Sequence, residues 1–244
     1  MLETWVNLTF EQVVGNLDPT NCTILPSIRD NPERDKIAAI LDSIGLSKFC
    51  SPKKGAHAVI LNTDLGLIVR ISPVREQFQT DAATFPIDEI LQPLATIVVG
   101  ETKIQIVPNV LTIENALPRR QNPGLINHRE AEAILIALEE GCKKKGVEFF
   151  DGKTANIGLI TDPKTYRIKG GVIMDLGATR LVSGASVPAP DDFELQKIVW
   201  EKFGLKKDFR PLGVLDADKD DLSPLKSLIE VIAQKKMEKA GWAH

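Results

Sequence analysis

The sequence is poor in aromatic residues, which make up 5% of its 244 residues and include a single tyrosine. Its hydrophobic core must therefore be built mainly from aliphatic side chains. The three cysteines, Cys22, Cys50 and Cys142, are too few and too scattered for a disulfide framework or a structural zinc site. Their odd number favours a reducing compartment.

Long apolar runs are also absent. No stretch approaches the roughly 18 apolar residues that a membrane span requires, and residues 1–10 lack the basic and then apolar pattern of a signal peptide. These features predict a cytoplasmic protein without a membrane span. The formal net charge of −3 argues against a protein that coats phosphate backbones, so no nucleic-acid partner is expected.

The sequence does contain a strand-rich part followed by a helix-rich part. Two pairs of short apolar runs predict β-hairpins, namely residues 56–61 with 65–72 and residues 95–99 with 103–107. One helix is predicted between the hairpins, over residues 74–85, and another before them, over residues 34–46 with Gly45 as its stop. This pattern predicts an α+β fold.

Beyond about residue 108 the spacing of apolar residues is mostly helical. It predicts three helices, over residues 127–141, 193–203 and 222–240. A third hairpin is predicted after the first of these helices, formed by residues 155–160 and 171–176 around a turn at Asp162.

The most informative segment is VEFFDGKTANIG, which holds Asp151, Lys153 and Asn156 in the spacing D-x-K-x-x-N. A later apolar run ends in Asp175-Leu176-Gly177. A carboxylate can accept a hydroxyl proton, an ammonium can neutralise a transferring phosphoryl group, and Asn with Asp supplies the oxygen ligands that magnesium prefers. Either segment alone is also typical of a turn or a strand end, but their order and separation favour the catalytic interpretation.

The two motifs resemble the catalytic loop, H-R-D-x-K-x-x-N, and the metal-binding D-F-G of the protein kinase family. The resemblance implies a bilobal kinase-like fold, with a strand-rich N-lobe and a reduced helical C-lobe, that uses ATP and Mg²⁺. It implies that Asp151 orients the acceptor hydroxyl, that Lys153 contacts the γ-phosphate, and that Asn156 and Asp175 hold magnesium. Two phenylalanines, Phe149 and Phe150, stand where the family has His and Arg.

The nucleotide-binding half resembles the family more loosely. Arg70 occupies the position of the family's phosphate-binding lysine, and by resemblance it pairs with the α- and β-phosphates. Lys53, Lys54 and Gly55 lie where the family has its glycine-rich loop, which would end at Val59. For the two lysines a solvated turn is an equally good interpretation.

The remaining parts of a nucleotide site are also implied by resemblance. A linker between the lobes is expected over residues 106–111, where Val107 and Asn109 would contact adenine through the backbone. An acidic partner for Arg70 is expected on the helix of the small lobe. Its candidates are Glu76, Asp81 and Glu89, with Asp81 or Glu76 preferred.

The resemblance implies an N-terminal helical extension at residues 1–50, an N-lobe at 51–108 and a C-lobe at 109–244. The predicted function is an atypical kinase that phosphorylates serine or threonine of a protein substrate, either constitutively or after binding an activating partner. Its short C-lobe resembles that of minimal kinases that pathogenic bacteria deliver into the host cytosol. Two alternatives stay open: a catalytically impaired kinase-like binding module, and a small-molecule phosphotransferase of the aminoglycoside- or choline-kinase type.

Overall fold

A computed structural model describes residues 8–16, 32–50, 58–74, 85–119, 123–174 and 179–240. These residues form a mixed structure of helices and strands, so the predicted α+β class is confirmed. The helices are α1 Phe10–Asn16, α2 Arg34–Ser43, α3 Ile113–Ala116, α4 His128–Lys144, α5 Glu194–Lys202 and α6 Ser223–Lys239. The strands are β1 Val59–Asn62, β2 Leu67–Pro73, β3 Ala95–Val99, β4 Thr102–Pro108, β5 Leu111–Thr112, β6 Val147–Phe149, β7 Ile157–Thr161, β8 Ile168–Ile173, β9 Thr179–Leu181 and β10 Val214–Asp216.

Contacts between residues divide the chain into two compact units. Unit 1 consists of residues 1–76, 93–109 and 203–244, and unit 2 consists of residues 77–92 and 110–202. This grouping joins the later part of the chain to unit 1, whereas the predicted C-lobe took in all residues from 109 to 244. The three predicted domain ranges stay a prediction.

Unit 1 contains a five-stranded sheet in the order β1-β2-β4-β3-β10. The two predicted hairpins are confirmed, because β1 pairs with β2 and β3 pairs with β4 in antiparallel fashion. β2 also pairs with β4, which joins the hairpins into one sheet. β10 pairs with β3 in parallel and was not predicted.

The two faces of this sheet differ in polarity. Every second residue of β2 is fully buried, and these residues, Leu67, Val69 and Ile71, form an apolar face. Helices α2 and α6 both contribute buried aliphatic side chains to unit 1. The end of α2 adjoins α6, since a Cβ placed on Gly45 would lie 3.7 Å from Cγ2 of Ile229. Gly45 has a φ of +85°, which only glycine adopts without strain, and it stops α2 where predicted.

Unit 2 contains α4, α5 and two small sheets, β5-β7-β8 and β6-β9. The predicted third hairpin is confirmed as β7 and β8, which pair in antiparallel fashion. The core of unit 2 is aliphatic and buried, with contributions from α4, β6, β7 and β8. Segment 85–92 also lies in this core, through Phe85, Ile87 and Ile90.

The helix α4 begins as predicted and ends later than predicted. Asn127 and Glu130 form a capping box at its start, which satisfies two backbone N–H groups that the helix leaves unpaired. Gly141 does not stop the helix, which continues to Lys144. A Cβ on Gly141 would lie 2.4 Å from Oε1 of Glu89, so the glycine serves close packing with segment 85–92.

The helices predicted over residues 34–46, 193–203 and 222–240 are confirmed as α2, α5 and α6. Most of the helix predicted over residues 74–85 lies outside the described residues. Among the helices that the structure describes, none is both long enough and apolar enough to cross a membrane.

Candidate functional site

The D-x-K-x-x-N side chains come together on one short loop of unit 2. The loop follows β6, and it ends in a 3-10 turn, Thr154–Asn156, that leads directly into β7. The N–H of Asn156 donates a 2.8 Å hydrogen bond to the carbonyl of Lys153 and closes this turn. Nζ of Lys153 lies 2.9 Å from Oδ2 of Asp151, and Nδ2 of Asn156 lies 3.3 Å from the same oxygen.

The carboxylate of Asp151 is therefore held and still accessible. Its side chain is 33% exposed, and the ammonium-bearing side chain of Lys153 is 74% exposed. Within the described residues, both hydrogen bonds go to Oδ2, which leaves Oδ1 as a second acceptor. A carboxylate arranged in this way can receive a proton from a hydroxyl group.

Two backbone contacts tie this loop and β6 to the described residues on either side of Asp175-Leu176-Gly177. The N–H of Met174 donates a 2.8 Å hydrogen bond to the carbonyl of Asn156. On the other side of the motif, β6 pairs with β9, with Phe149 opposite Thr179. Asp175 itself lies outside the described residues, but the residue before it, Met174, is hydrogen-bonded to the loop that carries Asp151, Lys153 and Asn156.

Two glycines allow close packing around this loop. A Cβ on Gly158 would lie 2.3 Å from Cγ2 of Val110 and 2.9 Å from Sδ of Met174. A Cβ on Gly152, next to Asp151, would lie 2.9 Å from Cδ1 of Leu135. The sequence offered a signal for both, since each glycine adjoins or follows a motif residue within two positions, but neither was predicted to matter.

The two phenylalanines before Asp151 have different environments. Phe149 is the last residue of β6 and is buried, whereas Phe150 is 56% exposed. The guanidinium carbon of Arg180 lies 5.5 Å from the centre of the Phe150 ring, within cation–π range. Nε of Arg180 also donates a 2.6 Å hydrogen bond to Glu148, its cross-strand neighbour.

In unit 1, Arg70 lies on the polar face of the five-stranded sheet. It stands opposite Ile60 of β1 and Gln105 of β4, and Gln105 stands opposite Thr96 of β3. Gln105 and Thr96 are buried polar residues. Nε of Arg70 is buried and has no hydrogen-bond partner in the part of the chain that the structure describes. A buried donor without a partner is rare, and a guanidinium is suited to binding an anionic ligand such as a phosphate.

The other residues predicted to contact the nucleotide do not all lie on the same face of the sheet as Arg70. Val107 stands opposite Ile68, on the same face as Arg70. Val59 stands opposite Ile71, on the apolar face, so the sheet does not bring its side chain to Arg70. The N–H of Asn109 donates a 3.0 Å hydrogen bond to Gly66, and it is therefore not available to adenine.

Besides Asp175, five predicted residues lie outside the described part of the chain. They are Lys53, Lys54 and Gly55 of the loop candidate, and Glu76 and Asp81 as candidate partners of Arg70. Glu89, the third acidic candidate, is described and has another partner. Its Oε2 lies 2.6 Å from Nζ of Lys145 in unit 2.

Lys145 was missed as a residue with a specific role. In the sequence, the run Lys143-Lys144-Lys145 is typical of a solvated helix end, but Lys145 also pairs with Asp191 and is partly buried. Burial lowers the pKa of Lys145, but hydrogen bonds to Asp191 and Glu89 outweigh it, and the net shift is upward. The ammonium therefore stays charged between the two carboxylates.

The metal-ligand prediction depends on an amide and one carboxylate. Among the described residues, no three His, Cys, Asp or Glu side chains form a group that could hold a metal ion. Asn156 turns its amide nitrogen towards Asp151, so its amide oxygen is left as a donor for a hard cation. The amide oxygen of Asn156 and the carboxylate of Asp175, which comes later in the sequence, are the oxygen ligands that suit magnesium.

No protein-family model matches the chain, and no curated protein matches it well enough to count as a relative. A fold class is in any case shared by many functions. The functional assignment therefore depends on the side chains that converge at Asp151 and on Arg70.

Proposed function

We propose that the chain is an ATP- and magnesium-dependent kinase with a bilobal kinase-like fold, which phosphorylates serine or threonine of a protein. The observation that carries the proposal is the convergence of Asp151, Lys153 and Asn156 on a loop that is hydrogen-bonded to Met174, directly before Asp175. The chain order of the elements also supports it. Two strand hairpins come first, then the long helix α4, then the loop and the β7–β8 hairpin.

Asp151 receives the proton of the acceptor hydroxyl. As the acceptor oxygen forms its bond to the γ-phosphorus, the bond between that phosphorus and the β–γ bridging oxygen breaks, and ADP leaves. Oδ2 of Asp151 is held by Lys153 and Asn156, which fixes the plane of the carboxylate. Such positioned proton acceptors contribute about 10²–10⁴-fold in rate.

Lys153 neutralises charge on the transferring phosphoryl group. Its side chain is 74% exposed and forms an ion pair with Asp151. An exposed ion pair of this kind contributes little to stability, so Lys153 can turn from Asp151 to a phosphate at little cost. Electrostatic stabilisation is the main way in which a protein accelerates phosphoryl transfer.

Asn156 and Asp175 hold the magnesium ion in this proposal, through the amide oxygen and the carboxylate. When bound, magnesium neutralises the β- and γ-phosphate oxygens. Asn156 stays oriented for this role by its amide contact with Asp151 and its backbone bond with Met174. Arg70 binds the α- and β-phosphates with the guanidinium whose Nε has no partner in the described residues.

A kinase-like binding module is the second candidate. Two observations favour it. The N–H of Asn109 donates to the carbonyl of Gly66, and Phe149 and Phe150 stand in place of the family's His-Arg pair, with Arg180 over the ring of Phe150. Such a module would keep the fold and bind protein partners without transferring phosphate.

The test is phosphate transfer from labelled ATP to a protein mixture in the presence of magnesium. Asp151→Asn and Asn156→Ala are each expected to reduce transfer about 10²–10⁴-fold without changing the unfolding temperature. Asp208→Asn, on an exposed turn of unit 1, is the matched control and should keep full activity. No transfer by the unaltered chain, with or without cell extract, would favour the binding module. Equal transfer by Asp151→Asn would exclude the proposed role of Asp151.

A further inference from the structure

Three charged residues from three parts of unit 2 form an ion cluster. Nζ of Lys145, the residue that follows α4, lies 2.6 Å from Oε2 of Glu89 and also contacts Oδ2 of Asp191. Glu89 belongs to segment 85–92, and Asp191 precedes α5. The side chains are 27%, 15% and 25% exposed, so solvent screens the cluster only in part. We name these three residues the Lys145 triad.

The surroundings of the triad are shaped to hold Glu89. Gly141, one helical turn before Lys145, leaves the space that Oε1 of Glu89 fills, because a Cβ there would lie 2.4 Å from that oxygen. Any larger residue at position 141 would displace the carboxylate. The position of Glu89 is therefore specified by α4 both through shape and through charge.

Segment 85–92 is also fastened to the start of α5. The carboxylate of Asp88 accepts hydrogen bonds from the N–H groups of Leu195 and Gln196. The buried amide of Gln196 in turn donates to the carbonyl of Ile90 and accepts from the N–H of Gln92. These contacts fasten segment 85–92 to the start of α5 within unit 2.

The backbone of Glu89 leads from the triad towards Asp151. Its carbonyl accepts a 2.7 Å hydrogen bond from the N–H of Ile173, and the carbonyl of Ile173 accepts one from Leu91. The next residue, Met174, donates to the carbonyl of Asn156, whose side chain donates to Asp151. Hydrogen bonds and the short covalent segments between them thus connect the ammonium of Lys145 with the carboxylate of Asp151.

We propose that Lys145 is a positioning residue, which acts through Glu89, Ile173 and Met174 to fix Asn156 beside Asp151. Without Lys145, the carboxylates of Glu89 and Asp191 would face each other in a partly buried place and repel. Glu89 would move away, and the bonds at Ile173 and Met174 would weaken. The catalytic consequence rests on the proposed function, whereas the structural coupling does not.

The test compares Lys145→Met with Lys197→Met, which removes a lysine of the same unit from an ion pair within α5. Hydrogen exchange resolved at Ile173 and Met174 is the first measurement. Lys145→Met should accelerate exchange at both amides about tenfold, and Lys197→Met should leave both unchanged. The amides of β2 in unit 1 serve as an internal reference and should not change in either variant.

Steady-state kinetics is the second measurement. If the chain is a kinase, Lys145→Met should lower kcat about tenfold and change the KM for ATP less than about twofold, since it disturbs the reacting groups and not the nucleotide contact of Arg70. Lys145→Arg keeps the charge and should recover most of kcat. A general loss of structure would instead change KM as well and would not be rescued by arginine.

A second variant guards against misfolding of Lys145→Met. Glu89→Gln keeps the size of the side chain and the backbone carbonyl, and it should give a smaller acceleration of exchange at Ile173 and Met174. Unchanged exchange at both amides in Lys145→Met and Glu89→Gln would overturn the proposal. Accelerated exchange without any phosphate transfer would support the coupling and count against the kinase function alone.

Discussion

The backbone N–H of Met174 lies 2.8 Å from the carbonyl oxygen of Asn156, to which it donates a hydrogen bond. This bond joins the end of β8 to the loop that leads into β7, at the open end of the hairpin. Asn156 and Met174, the residue before Asp175, are separated by a whole hairpin in the sequence and are neighbours in space. Any substitution that forces β7 away from Met174 should disturb this contact.

Gly158→Ala is such a substitution. Its Cβ would lie 2.3 Å from Val110 and 2.9 Å from the sulfur of Met174, and overpacking of this kind costs about 1–3 kcal/mol. The expected result is a decrease in unfolding temperature of about 3–10 °C, measured by circular dichroism. Gly15→Ala is the control, because no heavy atom lies within 4 Å of its Cβ position in α1. Equal unfolding temperatures for the two variants would contradict the predicted clash.

Arg70→Met should separate stability from nucleotide binding. It removes a buried Nε that has no partner in the described residues, so the unfolding temperature should stay the same or rise. It also removes the proposed phosphate contact, so the affinity for ATP, measured by calorimetry, should fall about tenfold or more. Lys103→Met, on the same sheet face, is the control for lost positive charge. A loss of stability with unchanged ATP affinity would mean that Arg70 is a structural residue.

Asp88→Asn should change how stability depends on pH. Burial raises the pKa of Asp88 above its ordinary 3.8, although hydrogen bonds from Leu195 and Gln196 oppose this shift. The folded state thus holds the proton more tightly than the unfolded chain does, and this stabilisation is lost as pH rises through the raised pKa. Asparagine can still accept the two hydrogen bonds and carries no charge to bury.

Thermal unfolding of both forms between about pH 4 and about pH 7 measures this effect. As pH rises, the unfolding temperature of Asp88→Asn should increase relative to that of the unaltered protein. A relative stability that stays constant, or that falls with rising pH, would mean that the carboxylate is better accommodated than its burial indicates.

Cys142 should be chemically inert in the folded protein. Burial raises the pKa of its thiol to about 12, with a further contribution from Glu89, so almost no thiolate exists near neutral pH. Alkylation by iodoacetamide, followed by peptide mass spectrometry, should label Cys142 only after denaturation. An added exposed cysteine, Ser183→Cys, should react at once in the same sample. Rapid labelling of native Cys142 would show that α4 opens readily.

The elements with strong local patterns were predictable from the sequence. Periodic apolar residues predicted α2, α4, α5 and α6, and alternating runs around turn residues predicted three hairpins. The grouping of Asp151, Lys153 and Asn156 followed from a motif spacing that a short turn brings together. These features depend on residues that are close together in the sequence, so their local pattern was enough to predict them.

Lys145 and β10 were not predictable because their partners are remote. Three consecutive lysines look alike in sequence, and only Glu89 and Asp191 decide that the last of them turns inward. β10 is three residues long and half exposed, and it becomes a strand only because β3 lies beside it. The helix predicted over residues 127–141 ends too early at Gly141, because this glycine makes room for the side chain of Glu89, which is remote in the sequence.

The parallel pairing of β10 with β3 has a consequence for synthesis on the ribosome. All residues of unit 2 are made before residue 203, whereas unit 1 still lacks β10 and α6 at that point. Unit 2 can therefore fold first, while the edge of β3 waits unpaired for residues 214–216. An unpaired strand edge favours association with other chains, so the nascent chain is prone to aggregate until residues 214–216 have been made and have paired with β3.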